Sequence, residues 1–361
     1  MENTKGKTLH ELLEEEFKQH VKWKYGDIAR VLEDEKECQR IINHILNDNA
    51  YDQNENQKTL GVTQERAKHI LITYLIGSIF STFGGLGEKI RKDLLEGDEL
   101  DKIWMPTALY HDYGYYDEHI KEMNYVLEQH FKPYLLNEKE IESLQELRER
   151  VMAYKLEEIT NYDKYIRDFH ERQALKNGEK QNEVIDHGIF GAVKVYARQK
   201  KKAGRNERFK CVCLTIAQHN IFKSDGNKTD VEYKKYNLER LNSRSELRID
   251  ERTPLLLFLS LVDTIECAKK LGKKKNKKAY LEMKTILDNI SVSITPDILE
   301  VNYSKLAKKV DAKKRDELHE TYKKYIESVE KIGDWTSFEC IRISSDIFEI
   351  KMRSNEKKKA A

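Results

Sequence analysis

The chain contains few cysteines and prolines, and this scarcity excludes several classes of protein. Its five cysteines include no Cys-x-x-Cys pair and are odd in number, so neither a disulfide framework nor a thiolate zinc knuckle is indicated. Only four prolines and sixteen glycines occur in 361 residues, whereas long stretches are rich in Glu, Lys and Leu. This composition favours a mainly helical protein over a β-sandwich or barrel.

Neither sign of charge is in excess, and long apolar runs are absent. Charged residues make up 35% of the chain, yet the formal net charge is only +2, so a general attraction to nucleic acid or membranes is not indicated. No run approaches the ~18 apolar residues of a membrane span, and the charged residues 1–20 do not resemble a signal peptide. We therefore expect a cytoplasmic protein with no membrane partner, whose cysteines are buried thiols.

Hydrophobic periodicity and charge divide the chain into four parts. The N-terminal part predicts one or two amphipathic helices, and the next part a helical domain with a strongly charged helical insertion. The third part alternates apolar and polar residues on both sides of the turn Thr295-Pro296-Asp297, which predicts a hairpin in a small α+β module. The predicted boundaries are 1–59 for the N-terminal helices, 60–287 for the main domain with its insertion at 117–180, 288–354 for the α+β module and 355–361 for a disordered tail.

The dipeptide His111-Asp112 is the most informative motif. It follows the apolar run Ala108-Leu109-Tyr110 and precedes Gly114, and Pro106 is expected in the first turn of the helix that carries it. A neutral nitrogen ligand beside an anionic oxygen ligand at a helix end suits a divalent metal ion. Further candidate ligands lie on separate apolar, helix-like segments: His69, His187, His219 and Asp263.

The surroundings of these residues favour a metal site. Asp263 lies inside a strongly apolar helix predicted over Leu255–Leu271, and because burial of an unpaired charge is costly, we expect a partner for it. That partner is a metal ion, an arginine or a backbone amide. His219 follows similar reasoning, with a hydrogen-bonded core histidine as the alternative. Rigid helices that supply imidazoles and carboxylates are what a first-row divalent metal requires.

The ordered set of histidines and aspartates resembles the HD-domain metal-dependent phosphohydrolase superfamily over about residues 60–272. Leu109-Tyr-His-Asp-Tyr-Gly114 is similar to its His-Asp-x-Gly motif, and Leu259-Ser-Leu-Val-Asp263 to its closing aspartate helix. Asp186-His187-Gly188 and Ile216-Ala-Gln-His219 resemble the extra histidines of two-metal branches, which include cyclic-dinucleotide phosphodiesterases and CRISPR nucleases. The resemblance implies a mainly α protein with an HD-domain helical bundle.

The resemblance also implies roles for these residues. Two divalent transition-metal ions, of manganese, iron, cobalt, nickel or zinc, would lower the pKa of a water molecule and neutralise charge on a phosphoryl group. Asp112 would bridge both metals and orient the attacking water, which makes it the candidate catalytic residue. The implied ligands are His69, His111, Asp112 and Asp263 for the first metal and His187 and His219, with Asp112, for the second.

The residues after the motif leave the substrate open. Many two-metal relatives have a lysine after the glycine, whereas this chain has Tyr115 followed by Tyr116. These tyrosines are expected either to stack on a base or sugar or to pack as ordinary apolar side chains. The acidic residues of guanosine tetraphosphate hydrolases are absent there. We expect hydrolysis of a phosphate ester in a nucleotide or cyclic nucleotide. The alternatives are a nuclease acting on single-stranded DNA or RNA and a non-catalytic nucleotide-binding sensor or scaffold.

Overall fold

The computed structural model of the chain contains two compact units. Unit 1 comprises residues 1–55, 64–108 and 257–361, and unit 2 comprises residues 56–63 and 109–256. The described residues are mainly helical, which confirms the expected class. The structure describes residues 6–21, 27–48, 64–81, 100–114, 187–188, 191–192, 195, 212–213, 215–216, 219, 253–266, 281–295, 297–310, 315–316, 338–344 and 349–354.

The helices coincide with apolar segments of the sequence, and two of them carry the candidate metal ligands His69 and Asp263. Residues 187–188, 191–192, 195, 212–213 and 215–216 are also helical. The boundaries of the sequence-predicted domains stay predictions. Within the described residues the helices are α1 (Leu9–His20), α2 (Ile28–Glu33), α3 (Glu35–Asp48), α4 (Gln64–Phe80), α5 (Asp101–Tyr110), α6 (Thr253–Ile265), α7 (Met283–Asp288) and α8 (Ser304–Ala307).

The N-terminal segment forms three helices, so the expectation of one or two is wrong. Thr8 and Glu11 form a capping box at the start of α1, in which each side chain bonds the backbone of the other residue. The Asp27 carboxylate caps α2, and the Asp34 carboxylate accepts from the amides of the first turn of α3. Because aspartate is a strong N-cap, each of these aspartates begins a new helix where periodicity alone suggested continuity.

Trp104 is the packing centre shared by α4, α5 and α6 in unit 1. Its side chain is fully buried, and its ring centroid lies 4.6 Å from that of Phe258 on α6. The indole N–H donates to the Tyr74 carbonyl of α4 at 2.9 Å. The ring also lies against Gly77, where any added side-chain carbon would overlap it. These contacts fix α4 and α6 relative to each other, and each helix carries a candidate metal ligand.

Pro106 lies inside α5 rather than in its first turn, which corrects the expected start of this helix. The helix begins at Asp101, and the amides of Ile103 and Trp104 bond the Leu100 carbonyl. A proline in a helix interior costs about 3 kcal/mol. Here Ile103, Trp104 and Met105 are all buried, and burial of one such side chain contributes about 1.5–3 kcal/mol. The apolar residues before the proline therefore extend the helix despite it.

The C-terminal residues form an antiparallel sheet, and the predicted hairpin at Thr295-Pro296-Asp297 is confirmed. Its strands are β1 (Ser291–Ile294) and β2 (Ile298–Asn302), with Ile294 opposite Leu299. Alternate residues of both strands are buried, as the period of two requires. The sheet order is β1-β2-β4-β3, where β3 is Phe338–Ser344 and β4 is Glu349–Ser354.

The start of the chain is hydrogen-bonded to this hairpin within unit 1. The Leu9 amide donates to the Ile290 carbonyl at 2.8 Å, and the Val292 amide donates to the Lys7 carbonyl at 3.2 Å. Thr8 also forms an isolated antiparallel bridge with Ser291. Unit 1 is thus assembled from distant parts of the sequence.

His10 connects three helices of the same region. Its Nδ1 lies 2.6 Å from an Asp288 carboxylate oxygen at the end of α7, and its Nε2 lies 2.7 Å from the Asp27 carboxylate that caps α2. Partial burial lowers the pKa of His10, but the two carboxylates outweigh it and raise the pKa above 6.5. Protonated His10 therefore ties α1 to both other helices.

Candidate metal centre

The His111-Asp112 motif lies in a buried turn directly after α5. His111 is fully buried and Asp112 is 2% exposed. The Tyr113 amide donates to the Tyr110 carbonyl at 2.9 Å, which closes the turn. The turn ends at Gly114, in unit 2, where the chain lies against another backbone segment of that unit.

That backbone contact involves the segment that carries His187. A Cβ atom added to Gly114 would overlap the His187 carbonyl oxygen and would lie 2.5 Å from the Gly191 nitrogen. A Cβ atom added to Gly191 would lie 3.0 Å from the Gly114 nitrogen. Glycine at both positions allows the two backbones to approach this closely, and the approach brings His187 to Asp112.

Within unit 2, three predicted ligands form a buried group. Asp112, His187 and His219 each offer one ligand atom, and these atoms lie within 4.8 Å of one another. The Asp112 Oδ1 atom lies 3.1 Å from His187 Nε2 and 3.7 Å from His219 Nε2. His111 Nε2 is also 3.7 Å from this oxygen. One carboxylate oxygen is thus surrounded by three imidazole nitrogens.

The hydrogen bonding of His219 sets which of its nitrogens faces the group. His219 Nδ1 lies 2.7 Å from the Ile216 carbonyl oxygen, which can only accept, so Nδ1 carries a proton. The Nε2 atom of the neutral ring therefore presents a lone pair toward Asp112. A lone pair facing a carboxylate is unfavourable unless a cation lies between them or the ring is protonated. Such a backbone hydrogen bond is typical of a metal-binding histidine.

The closeness of the rings favours a metal ion over several imidazolium ions. The centroid of the His219 ring lies 5.3 Å from that of His111 and 5.1 Å from that of His187. Three protonated rings around one carboxylate would place at least two excess positive charges in a buried site, where charge repulsion is strong. Neutral rings with one divalent cation avoid this repulsion. The donor set therefore fits a transition-metal ion.

Within unit 1, two further predicted ligands are paired. His69 on α4 and Asp263 on α6 are 2% and 7% exposed. Their Nε2 and Oδ1 atoms lie 3.0 Å apart. Asp263 thus has the buried partner that its apolar surroundings require. The helix that carries it ends at Ile265, and residues 267–271 of the predicted helix lie outside the described residues.

Glu266 is a buried site residue that the sequence reasoning missed. Its side chain is fully buried, and its Oε2 atom lies 2.8 Å from His69 Nδ1. The residue follows Asp263 by three positions, so both carboxylates lie on one side of the chain. Asp263 and Glu266 are both charged residues beside the same apolar run. Glu266 was not predicted because it follows the run at a greater distance than Asp263 does.

Several predicted features lie outside the described residues. They include the candidate substrate-binding residues Tyr115 and Tyr116, the proposed insertion at 117–180 and the tail at 355–361. The roles assigned to them stay predictions.

Comparison of the chain with protein-family models, with curated proteins and with solved structures gave no match. The resemblance to HD-domain phosphohydrolases therefore stays a prediction from the sequence motifs. No helix among the described residues combines the length and apolar character that crossing a membrane requires.

Proposed function

We propose that the chain is a metal-dependent phosphoric ester hydrolase acting on a nucleotide or cyclic nucleotide. The observation that supports this proposal is the buried Asp112 carboxylate, with imidazole nitrogens of three histidines within 3.1–3.7 Å of one of its oxygens. A mixed imidazole and carboxylate group of this kind suits a first-row divalent cation.

The residues have distinct tasks in this proposal. Asp112, His187 and His219 hold a cation in unit 2, and His69 and Asp263 hold one in unit 1. His111 enters the ligand set through the sequence resemblance. A bound divalent cation supplies activation of water and neutralisation of charge on the phosphoryl oxygens. His219 keeps its proton on Nδ1 through the Ile216 carbonyl, so its Nε2 atom is available as a ligand.

The test compares two matched aspartate variants. Protein loaded with Mn²⁺ is assayed against nucleotides, cyclic nucleotides and single-stranded oligonucleotides, together with Asp112→Asn and Asp34→Asn. Asp112→Asn keeps the side-chain volume but removes the charge, and we expect hydrolysis to fall at least about 100-fold, the scale of losing one preorganised electrostatic contact. Asp34 caps α3, and asparagine caps equally well, so the control should keep full activity.

The outcomes separate the rival functions. Release of phosphate or opening of a cyclic nucleotide, lost in Asp112→Asn only, supports the proposal. Cleavage confined to oligonucleotides would replace the nucleotide substrate with a nuclease function. Tight metal and nucleotide binding without turnover would overturn the enzymatic assignment in favour of a sensor or scaffold.

A further inference from the structure

Glu266 lies beside a proposed metal ligand but outside the predicted ligand set. It is 1% exposed, and its amide still donates to the Val262 carbonyl at 3.0 Å, so the last turn of α6 holds its backbone. The Tyr303 hydroxyl donates to the carbonyl of Ile265, the preceding residue, at 3.2 Å. Two hydrogen bonds, one within the last turn of α6 and one from Tyr303 after β2, therefore hold the backbone that carries this carboxylate.

The carboxylates of Asp263, on α6, and of Glu266, directly after α6, contact opposite nitrogens of one imidazole ring. His69 Nδ1 lies 2.8 Å from Glu266, and His69 Nε2 lies 3.0 Å from Asp263. An imidazole and two carboxylates held together in a buried place form a mixed set of donors that suits a divalent cation. A cation held by Asp263 and Nε2 leaves Nδ1 as the only ring nitrogen that can carry a proton.

We propose that Glu266 is a positioning residue, which accepts the Nδ1–H of His69 and thereby directs the Nε2 lone pair toward the cation that His69 and Asp263 hold. This inference rests on the metal-binding part of the proposed function. A carboxylate in this place fixes the tautomer and the ring orientation and increases the basicity of the ligating nitrogen.

His69 and His219 differ in the group that their Nδ1 atoms contact. The Nδ1 of His219 is bonded to a neutral acceptor, the Ile216 carbonyl, whereas the Nδ1 of His69 is bonded to an anion. A charge-assisted hydrogen bond is roughly twice as strong as a neutral one. The Nε2 atom of His69 is therefore a stronger metal ligand than that of His219. Its basicity depends on the Glu266 side chain, which mutation can remove.

The experiment measures Zn²⁺ affinity by competition with a chromophoric chelator in the full-length chain. We expect Glu266→Ala to weaken at least one Zn²⁺ binding step about 10–100-fold, with unchanged stoichiometry at saturation. Glu266→Gln keeps an acceptor oxygen and should recover part of the loss. The matched control is Glu35→Gln. In the unaltered chain the Glu35 carboxylate accepts from the amide of Lys68, the residue before His69, at 2.9 Å. This variant should bind Zn²⁺ like the unaltered chain.

A second readout follows the proton on the ring. In the Zn²⁺-loaded chain, ¹⁵N shifts of His69 should report a protonated Nδ1 and a metal-bound Nε2, and Glu266→Gln should weaken this Nδ1–H signature. A purely structural role would lower the melting temperature of the metal-free protein and leave Zn²⁺ affinity unchanged, which would overturn the inference. A lower stoichiometry in Glu266→Gln would also overturn it, because Glu266 would then be a ligand.

These results are distinguishable from failure of the proposed function. Zn²⁺ binding that depends on Glu266, in a protein without hydrolytic activity, would support the positioning role and refute the enzyme. Hydrolysis lost in Asp112→Asn, with Zn²⁺ affinity independent of Glu266, would do the reverse. A chain that binds no Zn²⁺ would refute both.

Discussion

Replacement of Gly114 by alanine should damage the candidate metal group of unit 2, formed by Asp112, His187 and His219, more than it damages the fold. The added Cβ atom would overlap the His187 carbonyl and lie 2.5 Å from the Gly191 nitrogen, whereas ordinary contact begins at 3.4 Å. Relief of the Gly191 overlap alone needs about 0.9 Å (3.4 less 2.5 Å), and the overlap with the His187 carbonyl is larger, so the two backbones must separate by more than this. Both neighbours are backbone atoms, so no side-chain rotation can relieve the overlap.

The size of this movement sets the expected effects. Overpacking of this kind costs about 1–3 kcal/mol, which corresponds to roughly 1–4 °C in melting temperature for a chain of this size. Metal ligands must lie within about 0.2 Å of their ideal distances, and His187 is separated from Asp112 by the same movement. We therefore expect Zn²⁺ affinity at this group to fall at least about 10-fold, the lower end of losses from misoriented ligands.

Two other glycine variants serve as controls. Gly191→Ala brings its Cβ atom to only 3.0 Å from the Gly114 nitrogen, so its effect should have the same direction and a smaller size. Gly77→Ala overlaps the Trp104 ring in unit 1 and should lower the melting temperature without weakening Zn²⁺ binding by the Asp112 group. Calorimetric unfolding and chelator competition give both quantities. A Gly114→Ala protein with normal Zn²⁺ affinity would refute the claim that the glycine contact positions His187.

Two further predictions concern unit 1. Because the pKa of His10 is raised in the folded state, its ion pairs stabilise the protein fully below the unfolded pKa, about 6.5, and this contribution is lost as pH rises through the folded pKa. Urea midpoints across pH should show His10→Gln less stable than the unaltered chain in acid, with a difference that shrinks in alkali; a constant difference would contradict this. Burial raises the pKa of the Cys38 thiol, so mass spectrometry should find Cys38 unlabelled by iodoacetamide in the folded protein and labelled in denaturant. Rapid labelling of the folded protein would contradict its burial.

The sequence predicts a local feature well where one contribution to the folding free energy dominates. The period-two alternation around Thr295 and Asp297 correctly places a hairpin, since a one-residue slip would expose every buried side chain. Pro106 shows the opposite case. Its intrinsic cost predicts a helix start, but burial of Trp104 and its neighbours outweighs that cost. Tertiary packing of this kind is not readable from propensity.

The sequence also identifies side chains more readily than their partners. Asp263 can be identified because a charged residue lies in an apolar run. Its partner His69 is far away in the sequence, however, and Glu266, which contacts the same ring, is separated from His69 by 197 residues. Periodicity carries no information about such pairs. The contact between Gly114 and Gly191 is equally unpredictable from the sequence, because each glycine alone is consistent with an ordinary helix end or turn.

The hydrogen bonds that join the start of the chain to the β1–β2 hairpin have a consequence for folding kinetics. His10 and Asp288, which lie 278 residues apart, meet in this region, so a loop of this length must close before unit 1 is complete. Contacts between distant residues slow folding, because closure entropy is lost before the contacts form. During synthesis, α1 must wait until the residues around Asp288 have emerged. We therefore expect unit 1 to mature late, through an intermediate whose N-terminal helices still expose apolar surface to chaperones.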